Sequence, residues 1–402
     1  MNQTRKKGSI GALALLLSCT YMVSYITRIN YGAIISEMEA ATAFPRNLLS
    51  MALTGSFITY GIGQIVSGFL GDRFSPKGMI TCGLSVTILM NLLVPLCRDP
   101  YQMLAVWCVN GFAQSFMWPP LVRLMTILLS EEEYKSVSTK VSWGSSVGTI
   151  LVYLIAPAII SLWGWRGVFM ASAACGVVML VVWRWVAPDI RLEATVKKGE
   201  KKKGNVAAFF SPLIAGIMAA IVLQGMLRDG VTTWMPTYIS DTYHLSTVIS
   251  ILTGVILPIF SILCVQISAK VYTKALTNPV ACAGAFFCGG TLSALGLFFL
   301  TEQNAAASVL LSAILTGCMH GVNLMFITML PPFFKRYDAV ATASGLLNSC
   351  TYVGSAISTY GIAVLSANIG WQSTILIWVA IAAIGGMLCL ICIRPWKRKF
   401  MN

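Results

Sequence analysis

Long apolar segments recur along the whole of this chain, and they restrict its possible folds more than any other feature. A helix needs about 20 predominantly apolar residues to cross the hydrocarbon core of a bilayer. By that rule the sequence contains about twelve such segments. They fall near residues 9–36, 47–70, 78–97, 101–129, 136–161, 165–187, 206–239, 246–269, 279–300, 305–331, 338–366 and 371–393. The sequence therefore predicts an all-α membrane protein with twelve transmembrane helices.

The composition agrees with this class and argues against others. Hydrophobic residues make up 57% of the 402 residues and charged residues only 10%, whereas a soluble domain carries about 25% charged residues. The net charge of +14 does not indicate nucleic-acid binding, because the basic residues cluster in short loops between apolar segments. The twelve cysteines lie mostly in apolar segments, and so does the one CxxC spacing, Cys389-Leu390-Ile391-Cys392. We therefore expect neither a disulfide framework nor a metal site. No cofactor and no enzyme activity are expected.

The charges of the loops predict the orientation. Basic clusters such as 5–7, 197–203 and 394–399 fall on one side of the apolar segments, and the loops of the other side are acidic or near neutral. The positive-inside rule places the basic side in the cytoplasm, with both termini. We expect a multi-pass protein of the plasma membrane, surrounded by membrane lipid and monomeric, with no nucleic-acid partner.

A charged segment divides the chain into two halves. The expected organisation is an N-terminal six-helix half over 1–190, a cytoplasmic linker over 191–205 and a C-terminal six-helix half over 206–402. The stretch Trp163-Gly164-Trp165-Arg166 before the sixth segment is similar to Ile369-Gly370-Trp371-Gln372 before the twelfth. Such internal repeats are typical of secondary transporters, whose binding sites lie near the middle of the bilayer.

An arginine interrupts the first apolar segment of each half, at Arg28 and Arg228. An arginine at the bilayer centre costs about 2.5–3.5 kcal/mol on insertion scales. Either both side chains extend to the headgroups along their aliphatic stems, or both face a polar cavity. Because apolar residues continue past both positions, we favour the cavity, occupied by a small anionic substrate whose oxygens match the guanidinium fork.

Two titratable residues have open roles. Asp229 follows Arg228 directly, but adjacent helical residues point about 100° apart, so the sequence does not predict a pair between them. A cap or interhelical contact and a role in the cavity remain alternatives for Asp229. His320 is either a pH-sensitive substrate contact or an interhelical hydrogen-bonding residue, and we slightly favour the second.

The loop between the second and third segments, Gly68-Phe69-Leu70-Gly71-Asp72-Arg73-Phe74-Ser75-Pro76-Lys77, resembles the signature loop of the major facilitator superfamily. The segment count and the central basic loop extend this resemblance to the whole chain. In that superfamily the loop aspartate and arginines latch the cytoplasmic ends of the N-terminal half. The resemblance implies a conformational latch of Asp72, Arg73, Lys77 and Arg123. The corresponding loop after the eighth segment, 268–274, has no aspartate, so we do not expect a second latch.

A narrower resemblance is to the organophosphate:phosphate antiporters, the family of the glycerol-3-phosphate and hexose-phosphate transporters. It is carried by Tyr21, Tyr25, Arg28 and Asn30, by Trp118-Pro119-Pro120, by Arg228-Asp229-Gly230 and by Tyr352-Val353-Gly354. In that family the two arginines clasp the phosphoryl group, and tyrosines line the pocket. The resemblance implies substrate-binding roles for Arg28, Arg228, Tyr21, Tyr25, Tyr60 and Tyr352.

Three positions depart from the family pattern. Gln64 stands where the family has a lysine, and Ser145 stands near the position of a family histidine. His320 takes the place of a pocket tyrosine. These correspondences imply that Gln64 and His320 are further candidates for substrate contact, with the interhelical alternative for His320 still open. The expected function is exchange of an organophosphate for inorganic phosphate by alternating access. The alternatives are proton symport of a carboxylate or other organic anion, and a transporter-like sensor of a sugar phosphate.

Overall fold

The computed structural model describes residues 7–42, 44, 46–189, 211–244 and 256–401. The regular secondary structure of these residues is helical throughout. The predicted all-helical architecture is therefore confirmed for the part of the chain that is described. The helices are α1 Lys7–Ala33, α2 Ile35–Thr42, α3 Arg46–Gly71, α4 Pro76–Leu93, α5 Pro100–Gln114, α6 Trp118–Leu128, α7 Glu131–Val186, α8 Pro212–Tyr243, α9 Ile256–Lys274, α10 Pro279–Leu300, α11 Ala305–Asn323 and α12 Val340–Trp396. Short 3₁₀ or π turns cover Val94–Leu96, Leu324–Met329, Pro331–Tyr337 and Lys397–Met401.

Eight segments of the described chain are long and apolar enough to cross a membrane. One of them, Glu131–Val186, contains 56 residues, which at about 1.5 Å per residue is far longer than a single crossing requires. The predicted count of twelve spans stays a prediction, because the structure itself yields eight. The predicted linker over 191–205 lies outside the described residues.

Side-chain caps fix where several helices begin. Ser75, Asp99 and Asn278 each accept hydrogen bonds from backbone N–H groups in the first turn of the helix that follows, and each is followed by proline. Proline suits the first helical position because that residue needs no N–H donor there. Ser130 and Glu133 form a reciprocal capping box at the start of α7. These starts follow from the local sequence alone.

A single glycine divides each of the two longest helices. Gly164 in α7 has φ 65° and ψ −176°, and Gly370 in α12 has φ 77° and ψ 172°. This backbone region is accessible almost only to glycine. α7 and α12 are therefore each two helices joined at one residue. The shared conformation supports the repeat inferred from the two Gly-Trp stretches.

The chain forms two compact units. The first contains residues 1–202 and 334–346, and the second contains 203–333 and 347–402. The short segment 334–346 is tied to the first unit through Lys335, whose Nζ donates to the carbonyl oxygen of Thr126 at 3.0 Å. Helix α12 thus begins in the first unit and continues in the second.

Small residues let the helices that carry the candidate site approach closely. In the first unit, a Cβ at Gly144 or Gly148 of α7 would lie 2.6 Å from a carbonyl oxygen of α1. In the second unit, a Cβ at Gly225 of α8 would overlap the carbonyl oxygen of Thr351, and one at Gly354 of α12 would overlap that of Val222. Close approach through small residues is the usual way in which membrane helices pack. It brings α1 against α7 and α8 against α12.

Candidate functional site

In the first unit, Arg28 lies against two tyrosine rings. Its Cζ atom is 4.4 Å from the ring centroid of Tyr25 and 4.7 Å from that of Tyr60. Both distances are within the range of a cation–π interaction. Tyr60 belongs to α3 and is only 3% exposed. The guanidinium of Arg28 therefore contacts a neighbouring helix of its own unit.

Tyr21 and Tyr25 belong to one aromatic cluster on α1. Their ring centroids are 5.1 Å apart in an edge-on arrangement. The ring of Tyr21 also lies 4.8 Å from that of Trp118, which opens α6. The structure thus places Tyr25 and Tyr60 against Arg28, and Tyr21 against Tyr25.

A buried polar network fixes the rotation of α1 next to Arg28. The amide nitrogen of Asn30 donates to Asn91 Oδ1 at 2.7 Å, and Asn91 in turn donates to the carbonyl oxygen of Thr27 at 3.0 Å. Gln114 Nε2 donates to Thr27 Oγ1 at 2.9 Å. All four side chains are buried. Because Thr27 directly precedes Arg28, these bonds hold the turn that presents the arginine.

Gln64 is fully buried in α3, and its Nε2 donates to the carbonyl oxygen of Ser115 at 3.4 Å. A neutral amide thus occupies the place of the family's lysine. The hydroxyl of Ser145 donates to the carbonyl oxygen of Ser142 within α7 at 2.8 Å. Neither position adds a positive charge to the first unit.

In the second unit, Arg228 is held by a carboxylate. Its Nε and Nη2 donate to the two carboxylate oxygens of Asp229 at 2.7 and 2.8 Å, and its Nη1 donates to Asn323 Oδ1 at 3.0 Å. The Arg228 side chain is 12% exposed. The expectation from helix geometry that Asp229 is not an obvious partner was wrong, because the long arginine side chain turns back to its neighbour.

Asp229 is bound from a second helix as well. The hydroxyl of Ser355 on α12 donates to Asp229 Oδ2. His320 on α11 lies near enough to interact electrostatically with both Arg228 and Asp229, and it stands one turn before Asn323. Tyr352 is buried on α12, three residues before Ser355, and therefore on the same face of that helix.

The predicted latch is gathered only in part. Asp72 accepts hydrogen bonds from the backbone N–H groups of Ala341 at 2.9 Å and Thr342 at 2.7 Å, which belong to the first turn of α12. Arg123 Nε lies 3.9 Å from Asp72 Oδ1, and its Nη1 donates to the carbonyl oxygen of Gly71. A carboxylate at a helix N-terminus is favourable, because that end carries partial positive charge and free N–H groups.

Burial raises the pKa of the Asp72 carboxyl, although the Thr342 and Ala341 N–H groups and Arg123 act in the opposite direction. The other two predicted latch residues are not among these contacts. Lys77 Nζ donates to the carbonyl oxygen of Ala187 at 2.8 Å, beyond the end of α7, and Arg73 is exposed.

Sequence reasoning missed Asn323 and Ser355 as partners of the Arg228–Asp229 pair. Asn323 follows His320 by three residues and so shares its helix face, which was a usable signal. Ser355 could not have been found from α8 alone, because its position depends on how closely α8 and α12 pack.

The chain is similar to known membrane proteins over most of its length. The sequence pattern of the Major Facilitator Superfamily matches residues 17–290 of the chain. The chain is 22% identical over 390 residues to the membrane sensor protein UhpC of Salmonella typhimurium. The aligned region covers 92% of this chain and 88% of the relative. It is 23% identical over 409 residues to a probable hexose phosphate transport protein of Chlamydia muridarum, covering 94% of this chain and 89% of the relative.

The fold is similar to that of a solved structure. The proton:xylose symporter XylE aligns with a TM-score of 0.77 at 14% sequence identity, over 99% of this chain and 97% of that structure. At this identity the match shows the fold and not the substrate. The resemblance read from the signature loop and the arginine segments is confirmed at the level of family.

Proposed function

The chain belongs to the Major Facilitator Superfamily of membrane transporters, and from this membership we propose that it exchanges a small organophosphate for inorganic phosphate by alternating access. The hexose phosphate transport protein and the sensor protein to which it is similar favour a phosphorylated ligand. We place the protein in the plasma membrane with both termini in the cytoplasm, in accordance with its basic loops.

The observation that carries this proposal is the bidentate hold of Arg228 on a carboxylate. Two parallel charge-assisted hydrogen bonds are the geometry with which arginine also binds phosphate. The Arg228 side chain is therefore presented in a conformation that suits an oxyanion. The ring contacts of Arg28 and the polar network around Thr27 likewise fix the first arginine in place.

Exchange, rather than one-way transport, follows from permanent charge. Arginine stays protonated at physiological pH. Because Asp229 compensates the charge of Arg228, it is mainly the charge of Arg28 that favours an occupied state over an empty one. Either of two anions satisfies that requirement, and each can replace the other. The neutral Gln64 in place of a lysine limits the proposed site to two permanent cations, which suits a small phosphate ester.

Counterflow in proteoliposomes tests the proposal. Vesicles are loaded with labelled inorganic phosphate and diluted into buffer with or without a hexose phosphate or glycerol 3-phosphate. Exchange predicts phosphate efflux only when an external organophosphate is present, unchanged when the proton gradient is dissipated. Uptake of a labelled organic anion into empty vesicles that stops when the proton gradient is dissipated would instead support symport. Saturable binding without any flux would support a sensor, which the similarity to UhpC favours as the second candidate.

A further inference from the structure

The guanidinium of Arg228 already binds an anion, and that anion belongs to the protein. The Nε–Nη2 edge faces the carboxylate of Asp229, and Nη1 faces the amide oxygen of Asn323. This is the arrangement that an incoming phosphoryl group would itself adopt. The Asp229 carboxylate and a transported anion therefore compete for the same donors.

We infer that Asp229 is an internal counter-ion of the transport site, which the transported anion displaces from Arg228 and which takes up a proton when it is displaced. The inference rests on the proposed function only in assigning Arg228 to the transported anion. It gives the empty carrier a physical means to keep a cation in the membrane, since an unpaired buried charge is far more costly than a paired one.

The partners of Asp229 make its release feasible. The Ser355 hydroxyl lies within hydrogen-bonding distance of two acceptors, the Asp229 carboxylate and the carbonyl oxygen of Thr351, the latter at 2.9 Å. A hydroxyl has only one hydrogen to donate. When the carboxylate leaves, Ser355 keeps the carbonyl of Thr351 as its acceptor, so the departure leaves no unsatisfied donor on α12.

The charges around Asp229 explain why a proton would accompany the anion. Among the residues that the structure describes, the charged or basic groups that interact with it are Arg228 on α8 and His320 on α11. The titratable side chains on the adjoining turns of α12 are Cys350 and Tyr352. Once the substrate holds Arg228, the freed carboxylate has lost its main neutralising partner. Protonation removes the charge of a side chain that is only 31% exposed.

The decisive variant is Asp229→Asn in the purified full-length chain, with sulfate and inorganic phosphate as probes. Sulfate keeps its charge across neutral pH, whereas phosphate itself titrates there. If the paired state dominates the empty carrier, removing the competitor should lower the dissociation constant for sulfate by about tenfold or more. Wild-type sulfate affinity should increase from pH 8 to pH 6, and Asp229→Asn should show no such dependence.

The matched control is Asp241→Asn on the same helix. Asp241 is exposed and accepts a hydrogen bond from Trp371 Nε1 at 3.1 Å, about 18 Å along α8 from Asp229 at 1.5 Å per residue. The Asp241→Asn variant removes one negative charge without changing the surroundings of Arg228, so its sulfate affinity should equal that of the wild type. Weaker binding in Asp229→Asn than in this control would overturn the inference and make Asp229 a positioning residue for Arg228.

A second pair of variants preserves every charge, in case Asp229→Asn fails to fold. Ser355→Ala removes the hydroxyl that holds Asp229 in place and should tighten sulfate binding about two- to fivefold, the equivalent of one modest hydrogen bond. Ser355→Thr keeps the hydroxyl and should restore wild-type affinity. Unchanged or weaker binding in Ser355→Ala would contradict the inference.

The outcomes separate this inference from the proposed function. Tighter sulfate binding in Asp229→Asn, together with no phosphate exchange in wild-type vesicles, would support the counter-ion and reject the exchange. Normal wild-type exchange with weaker sulfate binding in Asp229→Asn would do the opposite.

Discussion

The first helix of each half carries one arginine, but the two side chains are held in different ways. Arg28 lies over the rings of Tyr25 and Tyr60, whereas Arg228 is paired with Asp229 and bonded to Asn323. A ring face attracts a cation without accepting hydrogen bonds from the donors in the guanidinium plane, but a carboxylate takes two of those donors. Two partly buried arginines are therefore stabilised in different ways.

The largest effects are expected from replacing either arginine by lysine, measured on both transport and thermal stability. Arg28→Lys and Arg228→Lys should each reduce phosphate counterflow by about 100-fold or more, because charge-assisted hydrogen bonds contribute about 1.5–3 kcal/mol each and lysine cannot reproduce the fork. Arg228→Lys should also lower the melting temperature in detergent more than Arg28→Lys does. It gives up a bidentate carboxylate pair, whereas a lysine at position 28 can still lie over a ring face.

Counterflow and thermal unfolding on the same preparations measure both properties. Equal losses of melting temperature in the two variants would remove the difference between the halves. Undiminished counterflow in both would reject the arginines as the binding residues.

The second test concerns Gly164 and Gly370, two positions at which the same substitution should have the same effect on stability. A Cβ at Gly164 or Gly370 would meet no atom within 4 Å, so an alanine there is opposed only by the backbone conformation. Such strain costs about 1–3 kcal/mol. Gly164→Ala and Gly370→Ala should therefore lower the stability by similar amounts, measured as a shift of the unfolding midpoint.

Gly361 of α12 supplies a control, because a Cβ there also meets no atom within 4 Å and its φ is helical. Gly361→Ala should preserve or raise stability. A loss of stability in only one of the variants Gly164→Ala and Gly370→Ala would argue against the repeat.

The smallest expected effect concerns the aromatic side of the comparison. Tyr60→Leu should weaken phosphate binding by about 0.5–2 kcal/mol, which is the range of a cation–π contact. Tyr60→Phe keeps the ring face and should bind almost as the wild type does. Calorimetric titration with inorganic phosphate measures both variants. If Tyr60→Phe lost as much as Tyr60→Leu, the hydroxyl rather than the ring would be the contact for the arginine or the substrate.

Much of the helical framework could be predicted from local sequence. Apolar length and the caps at Ser75 and Asn278 mark where helices begin, and Trp118-Pro119-Pro120 marks the break between α5 and α6. The pairing of Arg28 with Tyr25 follows from their spacing of three residues on one helix. Each of these features depends on neighbours in the chain, which the sequence displays directly.

The remaining features depend on contacts between distant parts of the chain. The grouping of segment 334–346 with the first unit rests on contacts such as that of Asp72 with the N–H groups of Ala341 and Thr342, 269 and 270 residues away. The Arg228–Asp229 pair was missed because adjacent residues of a helix point in different directions. An arginine side chain has several rotatable bonds, so it can still turn back to its neighbour. Ser355 required the close packing of α8 and α12.

The single-residue joints at Gly164 and Gly370 have a practical consequence for experiments that locate each end of a helix relative to the bilayer. A reporter enzyme, epitope or protease site placed at either glycine would interrupt two helices at once, and the resulting misfolding would be mistaken for inaccessibility. The turns around Arg98 and around Gln303 precede helices capped by their own side chains, Asp99 and Asn304. They offer better positions for insertions that map which side of the membrane each helix end faces.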